Sequence, residues 1–262
     1  MAEERDVGPA ATGLPEIVRR VRARTPARLL VGRAGAAYRT STQLDLREAH
    51  AAARDAVQGE LNLEKAFGHG FVERWKLLEV RTQAVSKEQY LLRPDLGRNF
   101  DENSRAELQR CSKSGDFLIA VGDGLSVSAV AAQVPRLLPL LCKGAKERHW
   151  KIAPKLVIHH CRVGILNEIG ELLKPRVAVL LIGERPGLAT AESLSAYMAY
   201  RACAAHTDAN RNVISNIHGR GLSRQEAAAR ILNLAECMMT SEMSGYQLKQ
   251  ERKQLEDRAD KF

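Results

Sequence analysis

Residues 177–187 read VAVLLIGERPG, and this stretch decides the fold. An unbroken apolar run ends abruptly at Gly183, and a carboxylate, a guanidinium and a proline follow it. Runs without polar alternation are typical of parallel strands whose two faces are both covered by helices. We therefore predict a buried strand over 177–182, ending at an edge of the sheet where polar groups meet solvent.

Two earlier runs repeat the pattern, at 117–121 (FLIAV) and at 156–160 (LVIHH). Stretches with helical character follow them, at about 127–148 and near 167–173. The order strand, helix, strand, helix, strand predicts an α/β fold, a Rossmann-like parallel sheet with flanking helices. Ser223-Arg-Gln-Glu226 matches a capping box and predicts the start of a further helix, which ends near Gly245.

A small, mainly helical N-terminal domain is expected before the sheet. One helix begins at Pro15 and another covers about 44–57, whereas 76–82 fits either a strand or the end of a helix. The basic first 40 residues indicate a surface that is solvated or faces a partner. The predicted divisions are a partner-contacting helical region 1–90, a Rossmann-like domain 91–246 and a charged tail 247–262.

Composition narrows the class of protein. The chain has 262 residues, 45% of them hydrophobic and 27% charged, as in soluble globular proteins. No apolar run approaches the roughly 20 residues that span a bilayer, and no signal peptide is recognisable, so we expect neither membrane insertion nor secretion. The five cysteines include no CxxC pair, which favours reduced thiols in the cytoplasm and gives no zinc site.

The net charge of +9 is compatible with nucleic acid or with an acidic protein partner. The basic residues are interleaved with 31 acids, and no aromatic ribonucleoprotein motif accompanies them. Nucleic acid is therefore not expected as the partner.

Ligands of open parallel sheets bind beyond the carboxyl ends of the strands, where two glycine-containing turns are expected. In the first, Gly122-Asp123-Gly124 serves either as a tight turn or as a place where backbone approaches a ligand; it matches neither GxGxxG nor a P-loop. In the second, Glu184 either forms an ion pair that fixes a loop or accepts hydrogen bonds from a ligand. Ser193 and Ser195 are alternate residues, so their hydroxyls share one side of an extended segment.

Histidines offer weaker candidates. Asn216, His218 and Gly221 have the spacing NxHxxG, close to the cobalamin motif DxHxxG but without the acid that orients the imidazole. We interpret His218 as a structural residue. His159 and His160 are adjacent on a strand, so their side chains point to opposite faces and do not chelate one metal.

Several segments together resemble one family. LLRPDLGR (91–98), GDGLS (122–126), CRVGILNEIGELL (161–173), GERPGL with ESLSAY (183–197) and SNIHGRG with a following EAA helix (215–228) are similar, in order and spacing, to the small subunit of ethanolamine ammonia-lyase. The resemblance extends from about Val18 to Gly245.

The resemblance implies one subunit of a hetero-oligomer that uses adenosylcobalamin to convert ethanolamine to acetaldehyde and ammonia by a radical mechanism. The large subunit supplies the substrate-binding barrel, and 91–246 is then a cobalamin-binding domain at the interface between the subunits. The cofactor keeps its own base on cobalt, so this chain supplies no metal ligand. It also carries no catalytic acid or base, and the isolated chain is expected to be inactive.

The family's cofactor contacts match three positions of this sequence. They are Val163, Glu184 and Val213, the last being cysteine in well-known members. Valine keeps the volume but removes the thiol. The glycine-rich turns would let backbone approach the corrin edge or the nucleotide tail. The resemblance places the enzyme in the cytoplasm, free or within a bacterial microcompartment.

Two other functions are weighed against this one. One is an autonomous α/β enzyme that uses Asp123 and Glu184, and the other is a basic nucleic-acid or scaffold module.

Overall fold

The computed structural model describes residues 15–25, 27–111 and 115–250. Helices and strands alternate through most of this length. The helices are α1 (Glu16–Ala23), α2 (Thr40–Gln58), α3 (Leu63–Phe67), α4 (Phe71–Trp75), α5 (Lys87–Leu92), α6 (Glu102–Arg110), α7 (Val127–Glu147), α8 (Ile165–Leu173) and α9 (Arg224–Ser241). The strands are β1 (Arg33–Ala34), β2 (Ala37–Tyr38), β3 (Leu77–Arg81), β4 (Phe117–Gly122), β5 (Lys155–His159), β6 (Val177–Gly183), β7 (Leu194–Tyr200) and β8 (Asn212–Ile217).

A six-stranded sheet forms the centre of the molecule, in the order β3-β5-β4-β6-β7-β8. Strands β3, β5, β4 and β6 are parallel, which confirms the predicted parallel sheet and its three apolar strands. Strand β7 is antiparallel to both β6 and β8, so β8 runs in the same direction as β6. The sheet is therefore mixed, because β7 and β8 extend the parallel part at one edge.

Each central strand contributes to two hydrophobic cores. In β6, Val177, Val179 and Leu181 face the core formed with α7 and α9, whereas Ala178 and Leu180 face the core formed with α6 and α8. Both faces of the strand are covered, which explains why its sequence shows no polar alternation. The flanking helices expected from the sequence are thus present on both sides.

The N-terminal part is helical, with one addition to the expectation. Helix α1 begins directly after Pro15, α2 begins at Thr40, four residues before the predicted start, and β1 and β2 form a short hairpin between them. The ambiguous segment 76–82 is a strand, β3, and it pairs with β5 at the edge of the main sheet. The sheet thus includes one strand from the range 1–90, and the division at residue 90 stays a prediction.

Helix α9 begins with the predicted capping box. Ser223 Oγ accepts a hydrogen bond from Glu226 N at 3.2 Å, and Glu226 Oε2 accepts one from Ser223 N at 3.3 Å. Such caps stabilise a helix by about 1 kcal/mol. The helix ends at Ser241, before the expected Gly245, because Glu242 adopts a left-handed conformation with φ of 53°. Most of the predicted charged tail 247–262 lies outside the described residues.

A search of the described ranges for membrane-spanning helices found none with the required length and hydrophobicity.

Candidate functional site

An open groove of about 1160 Å³ lies on the side of the sheet that carries α8. Its walls come from the start of α8, from β7 and β8, and from segments 94–99 and 204–211. Val163 and Val213, two of the three predicted cofactor contacts, both line it. The groove therefore brings together residues that lie 50 positions apart in the sequence.

Asp123 fixes the loop that presents Val163. Its carboxylate is fully buried and accepts hydrogen bonds from the backbone N–H groups of His160 and Cys161, both at 2.8 Å. The Tyr90 hydroxyl donates to the carbonyl of Cys161 at 3.0 Å. The loop is thus held through its backbone polar atoms, which positions Val163 at the beginning of α8.

A buried lysine stabilises the same carboxylate. Lys87 Nζ lies 4.0 Å from Asp123 Oδ2 and donates to the carbonyl of Gly124 at 3.1 Å. Burial lowers the pKa of Lys87, and the nearby charge of Asp123 partly opposes that shift. Because both carboxylate oxygens of Asp123 accept internal hydrogen bonds and neither contacts solvent, this residue is not placed to act on a substrate, as the autonomous-enzyme interpretation required.

Val213 lies on β8 opposite Tyr197 of β7. Paired residues of neighbouring strands project from the same face, and Tyr197 packs against the core on the α8 side. Val213 is 49% exposed, so much of its side chain is open to the groove. Together these residues give this wall an apolar surface.

Glu184 directly follows β6 and is not among the residues that line the groove. Its carboxylate accepts hydrogen bonds from Ser193 Oγ at 2.8 Å, from Ser195 Oγ at 2.5 Å and from the backbone N–H of Asn216 at 3.1 Å. The two serine hydroxyls therefore share one side, as their alternate spacing predicted. Burial, and after it the charge of Glu184, raise the pKa of the Tyr197 hydroxyl, which connects Glu184 electrostatically to the groove.

The glycines of the two turns serve internal packing. A Cβ at Gly124 would lie 2.4 Å from the carbonyl oxygen of Gly183, and a Cβ at Gly183 would lie 2.1 Å from that of Ser126. Gly122 is equally crowded by the Cys161 side chain, at 2.7 Å. The turns 122–126 and 183–187 thus pack against each other, and they are not among the segments that line the groove. These glycines are required by contacts within the chain itself, and the expected approach of their backbone to a ligand stays a prediction.

The NxHxxG segment forms a local turn. Asn216 adopts a left-handed conformation with φ of 59°, and its carbonyl accepts a hydrogen bond from Leu222 N at 2.8 Å. A Cβ at Gly221 would lie 2.4 Å from that carbonyl oxygen and 2.7 Å from His218 Nε2, so glycine is required there. His218 is buried, and its Nδ1 accepts from the N–H of Arg220 at 3.3 Å. This agrees with its interpretation as a structural histidine.

The histidine pair at the end of β5 is also structural. His159 Nε2 contacts Glu79 at 2.8 Å, whereas His160 Nε2 contacts Glu60 at 3.1 Å. The two histidine side chains thus contact carboxylates from different parts of the chain, as expected if they point to opposite faces of the sheet. Across the ranges that the structure describes, no three His, Cys, Asp or Glu side chains are grouped as metal ligands would be.

Five basic residues of the groove were not predicted as site residues: Arg98, Arg105, Arg162, His206 and Arg211. Arg162 stacks on Tyr90, with its guanidinium carbon 4.2 Å from the ring centroid. Arg98 lies in the LLRPDLGR segment, beside Gly164. A wide, partly apolar groove edged by such donors suits a large ligand that carries both apolar surface and hydrogen-bond acceptors.

Comparison with known proteins identifies the family to which this chain is related. A family model described as ethanolamine ammonia-lyase light chain matches residues 15–249. The chain belongs to this family.

Relatives of the light chain are similar over most of their length. The ethanolamine ammonia-lyase small subunit of Clostridium perfringens is 42% identical over 230 residues, which are 87% of this chain and 76% of that protein. The small subunit of Clostridium acetobutylicum is 38% identical over 230 residues, which are 87% of this chain and 93% of that protein. That of Clostridioides difficile is 42% identical over 232 residues. The small-subunit resemblance stated from the sequence motifs is therefore confirmed.

As a light chain of an ammonia-lyase, the protein is a subunit of a lyase complex with a larger partner subunit. The resemblance covers the groove and every element that positions it, because the matched range begins before α1 and ends after α9.

Proposed function

We propose that this light chain binds adenosylcobalamin in the groove and that, with its large subunit, it converts ethanolamine to acetaldehyde and ammonia. The observation that carries the proposal is the convergence of Val163 and Val213 on one open groove, with Glu184 on the same side of the sheet. All three positions also match the family's motifs in the sequence.

The residues present fit such a cofactor. A corrin ring is flat, largely apolar and edged with primary amides, so it requires apolar walls and well-placed polar groups. Val163, Leu172 and Val213 supply apolar wall. Glu184, whose carboxylate already accepts from Ser193, Ser195 and Asn216, is proposed to accept one further hydrogen bond from an amide N–H group of the corrin. The buried nitrogens Arg162 Nε, His206 Nδ1 and Arg211 Nε have no hydrogen-bond partner in the described part of the chain. When bound, adenosylcobalamin supplies the radical chemistry of the reaction.

This chain's own residues have holding and covering roles. Tyr90, Lys87 and Asp123 fix the loop before α8, and Glu184 fixes the ends of three strands. We assign no catalytic acid, base or metal ligand to the chain, since the acids and histidines discussed above are engaged in internal contacts. The isolated chain is therefore expected to bind weakly and to be inactive.

The N-terminal part, as we propose, contacts the large subunit. Of the described residues between 15 and 58, only Thr42 and Ala56 are buried, whereas Ile17, Leu30 and Leu44 are each more than half exposed. A second groove, of about 720 Å³, is lined by α2 and by Leu188 of the GERPGL turn. Exposed apolar side chains of this kind mark surfaces that a partner covers.

Co-purification tests this contact. A Leu44→Glu variant should recover less large subunit than wild type, whereas Val85→Glu, a change at a residue 83% exposed elsewhere, should not. Equal recovery from both variants would exclude α2 from the interface.

The assembled enzyme, we further propose, resides in the cytoplasm, either free or within a microcompartment. Fractionation of cells grown on ethanolamine, followed by detection of the light chain in sealed shells or in the free protein fraction, decides between the two. Recovery of the chain outside the cell would contradict both.

The function itself is tested with the complex of both subunits. Adenosylcobalamin is titrated and followed by its absorbance, and ethanolamine turnover is measured. Val213→Trp fills the groove from a half-exposed site and should weaken cofactor binding by about tenfold or more. Val85→Trp adds the same volume at an exposed site outside the groove and serves as the control. Unchanged affinity in Val213→Trp, or ethanolamine turnover by the light chain alone, would refute the proposal.

A further inference from the structure

Two arginines of the groove, Arg98 and Arg162, form no ion pair within 4.0 Å with a carboxylate of the described residues, although the hydrogen bond from Arg93, and after it the charge of Arg98, help to lower the pKa of Asp95. The alkyl chain of Arg98 packs beside Gly164, where an added Cβ would lie 2.9 Å from Arg98 Cγ, and its guanidinium forms no hydrogen bond or ion pair with the described chain. Arg162 stacks on Tyr90 and donates one hydrogen bond to the Tyr90 carbonyl, at 3.2 Å. Its Nε is buried without a partner. The guanidinium groups of Arg98 and Arg162 thus have N–H donors that the described chain does not use.

A third arginine is almost fully enclosed in the same groove. The Arg211 side chain is only 7% exposed, it pairs with Asp208, and its Nη2 donates to Asn167 at 2.9 Å. Its Nε has no partner, and neither has Nδ1 of the neighbouring His206. Burial lowers the pKa of Arg211 and the nearby Arg98 lowers it further, against the opposing effect of Asp208. The positive charges of Arg211 and Arg98 therefore repel each other, and a bound anion would offset this unfavourable repulsion.

Of the acids that line the groove, Asp208 pairs with Arg211, whereas Glu168 and Glu171 have other partners. Glu168 pairs with Arg105 and accepts from the Phe100 N–H at 2.6 Å. Glu171 accepts from the Ala204 N–H at 2.9 Å. Neither Glu168 nor Glu171 forms an ion pair with Arg98 or Arg162, so the guanidinium groups of these two arginines remain for a ligand.

Backbone N–H groups at the start of α8 add hydrogen-bond donors beside these arginines. Helix α8, nine residues long, begins at Ile165, and its N-cap Gly164 provides no side-chain cap. The N–H groups of Val163 and Gly164 form no hydrogen bond with the described chain. The positive end of a helix dipole and free N–H groups favour a negatively charged ligand.

We propose that the part of the groove bounded by Arg98, Arg162, Arg211 and the start of α8 is a phosphate-binding subsite. Guanidinium groups suit phosphate oxygens because each offers several N–H donors in a fixed plane. The buried nitrogens of Arg162 and Arg211 must turn slightly to reach a ligand, and an incoming anion favours that movement. The inference deepens and rests on the proposed function, since the phosphodiester in the nucleotide tail of adenosylcobalamin is the phosphate group that such a ligand would bring.

The main experiment compares two ligands with the complex of both subunits. Adenosylcobinamide lacks the nucleotide tail and its phosphodiester, whereas adenosylcobalamin has both. Arg98→Gln, which keeps the packing against Gly164, should weaken adenosylcobalamin binding by about tenfold and leave adenosylcobinamide binding unchanged. Arg98→Lys should recover part of the loss. Binding is read from absorbance titrations, independently of turnover.

Arg93→Gln is the matched control, because it removes the same charge from an exposed arginine of the same segment that does not line the groove. This control should bind both ligands as wild type does. Equal weakening of both ligands by Arg98→Gln, or no weakening of either, would overturn the subsite while leaving the proposed function intact.

Inorganic phosphate tests the subsite without the cofactor. Added phosphate should raise the melting temperature of the wild-type full chain relative to chloride at equal ionic strength, and it should raise that of Arg98→Gln less. If the two proteins respond equally, the subsite is wrong. If phosphate stabilises only the wild type but the wild-type complex fails to bind adenosylcobalamin, the subsite stands and the proposed function fails.

Discussion

Glu184 accepts a hydrogen bond from the backbone N–H of Asn216, at 3.1 Å, although β7 lies between their strands in the sheet. The same oxygen accepts from Ser195 Oγ at 2.5 Å. Asn216 can offer its N–H in this direction because it adopts a left-handed conformation, which asparagine tolerates better than most residues. One carboxylate therefore fixes the ends of three strands beside the groove.

Glu184→Gln tests this arrangement. Glutamine keeps the size but replaces one acceptor oxygen with an NH₂ group that cannot accept from the same donors. We expect the free energy of unfolding to fall by about 1 to 2 kcal/mol, measured by urea denaturation. Glu192→Gln, at an exposed residue of the same loop, should leave the free energy of unfolding unchanged. Equal stability of the two variants would show that the carboxylate is not a structural tie.

The contact between the two glycine-rich turns gives a second prediction. A Cβ at Gly183 would meet the Ser126 carbonyl oxygen at 2.1 Å and that of Asp123 at 2.9 Å. Both obstacles are backbone, so Gly183→Ala forces the turns apart, and we expect a loss of about 1 to 3 kcal/mol in thermal or urea unfolding. Gly187→Ala is the control in the same loop, since its Cβ would meet nothing within 4 Å. Comparable stability of both variants would contradict the crowding.

The parallel part of the sheet was predictable because burial on both faces leaves an unbroken apolar run. Strands β7 and β8 were not predicted, and their sequences explain why. In β7, Ser195 and Tyr197 interrupt the apolar residues, because the Ser195 hydroxyl bonds to Glu184 and Tyr197 lines the groove. In β8, Val213, Ser215 and Asn216 are exposed on the edge strand. Neither pattern differs enough from that of a loop.

The basic groups of the groove could not be found from the sequence alone. Arg98, Arg162 and Arg211 follow different elements, and only the order of the strands brings them to one surface. Arginine is common in this basic chain, so no single position stands out. Val163 and Val213 were found because they matched family motifs; their own chemistry, two small apolar side chains, contains no signal of a site.

Asp123 provides a third prediction. Asp123→Asn turns one of its two acceptors into a donor that faces the N–H of His160 or Cys161, and it removes the negative charge that has the larger of two such effects on buried Lys87. We expect the free energy of unfolding to fall by about 3 kcal/mol, measured by urea denaturation. Asp45→Asn, on the exposed surface of α2, is the control. Full stability together with a loss of activity in Asp123→Asn would instead favour a chemical role for this residue.

His206 gives the groove a measurable pH dependence. Burial, and after it the charge of Arg211, lower the pKa of His206 from 6.5. Between that lowered value and 6.5, the unfolded chain binds a proton that the folded chain resists. The contribution of His206 therefore makes the free energy of unfolding decrease as the pH falls through this window, and the loss is complete only below the folded pKa.

His206→Gln removes this contribution. We expect the variant to lose less stability than wild type when urea denaturation is compared about one pH unit above and one below 6.5. His69→Gln, a change at a side chain that is 96% exposed, should keep the wild-type difference. The binding of an anion beside Arg211 would favour protonated His206 and reduce the wild-type pH dependence, so repeating the comparison in phosphate and in chloride relates this measurement to the proposed subsite. An identical pH dependence in wild type and His206→Gln would show that the imidazole is not held in its neutral form by the groove.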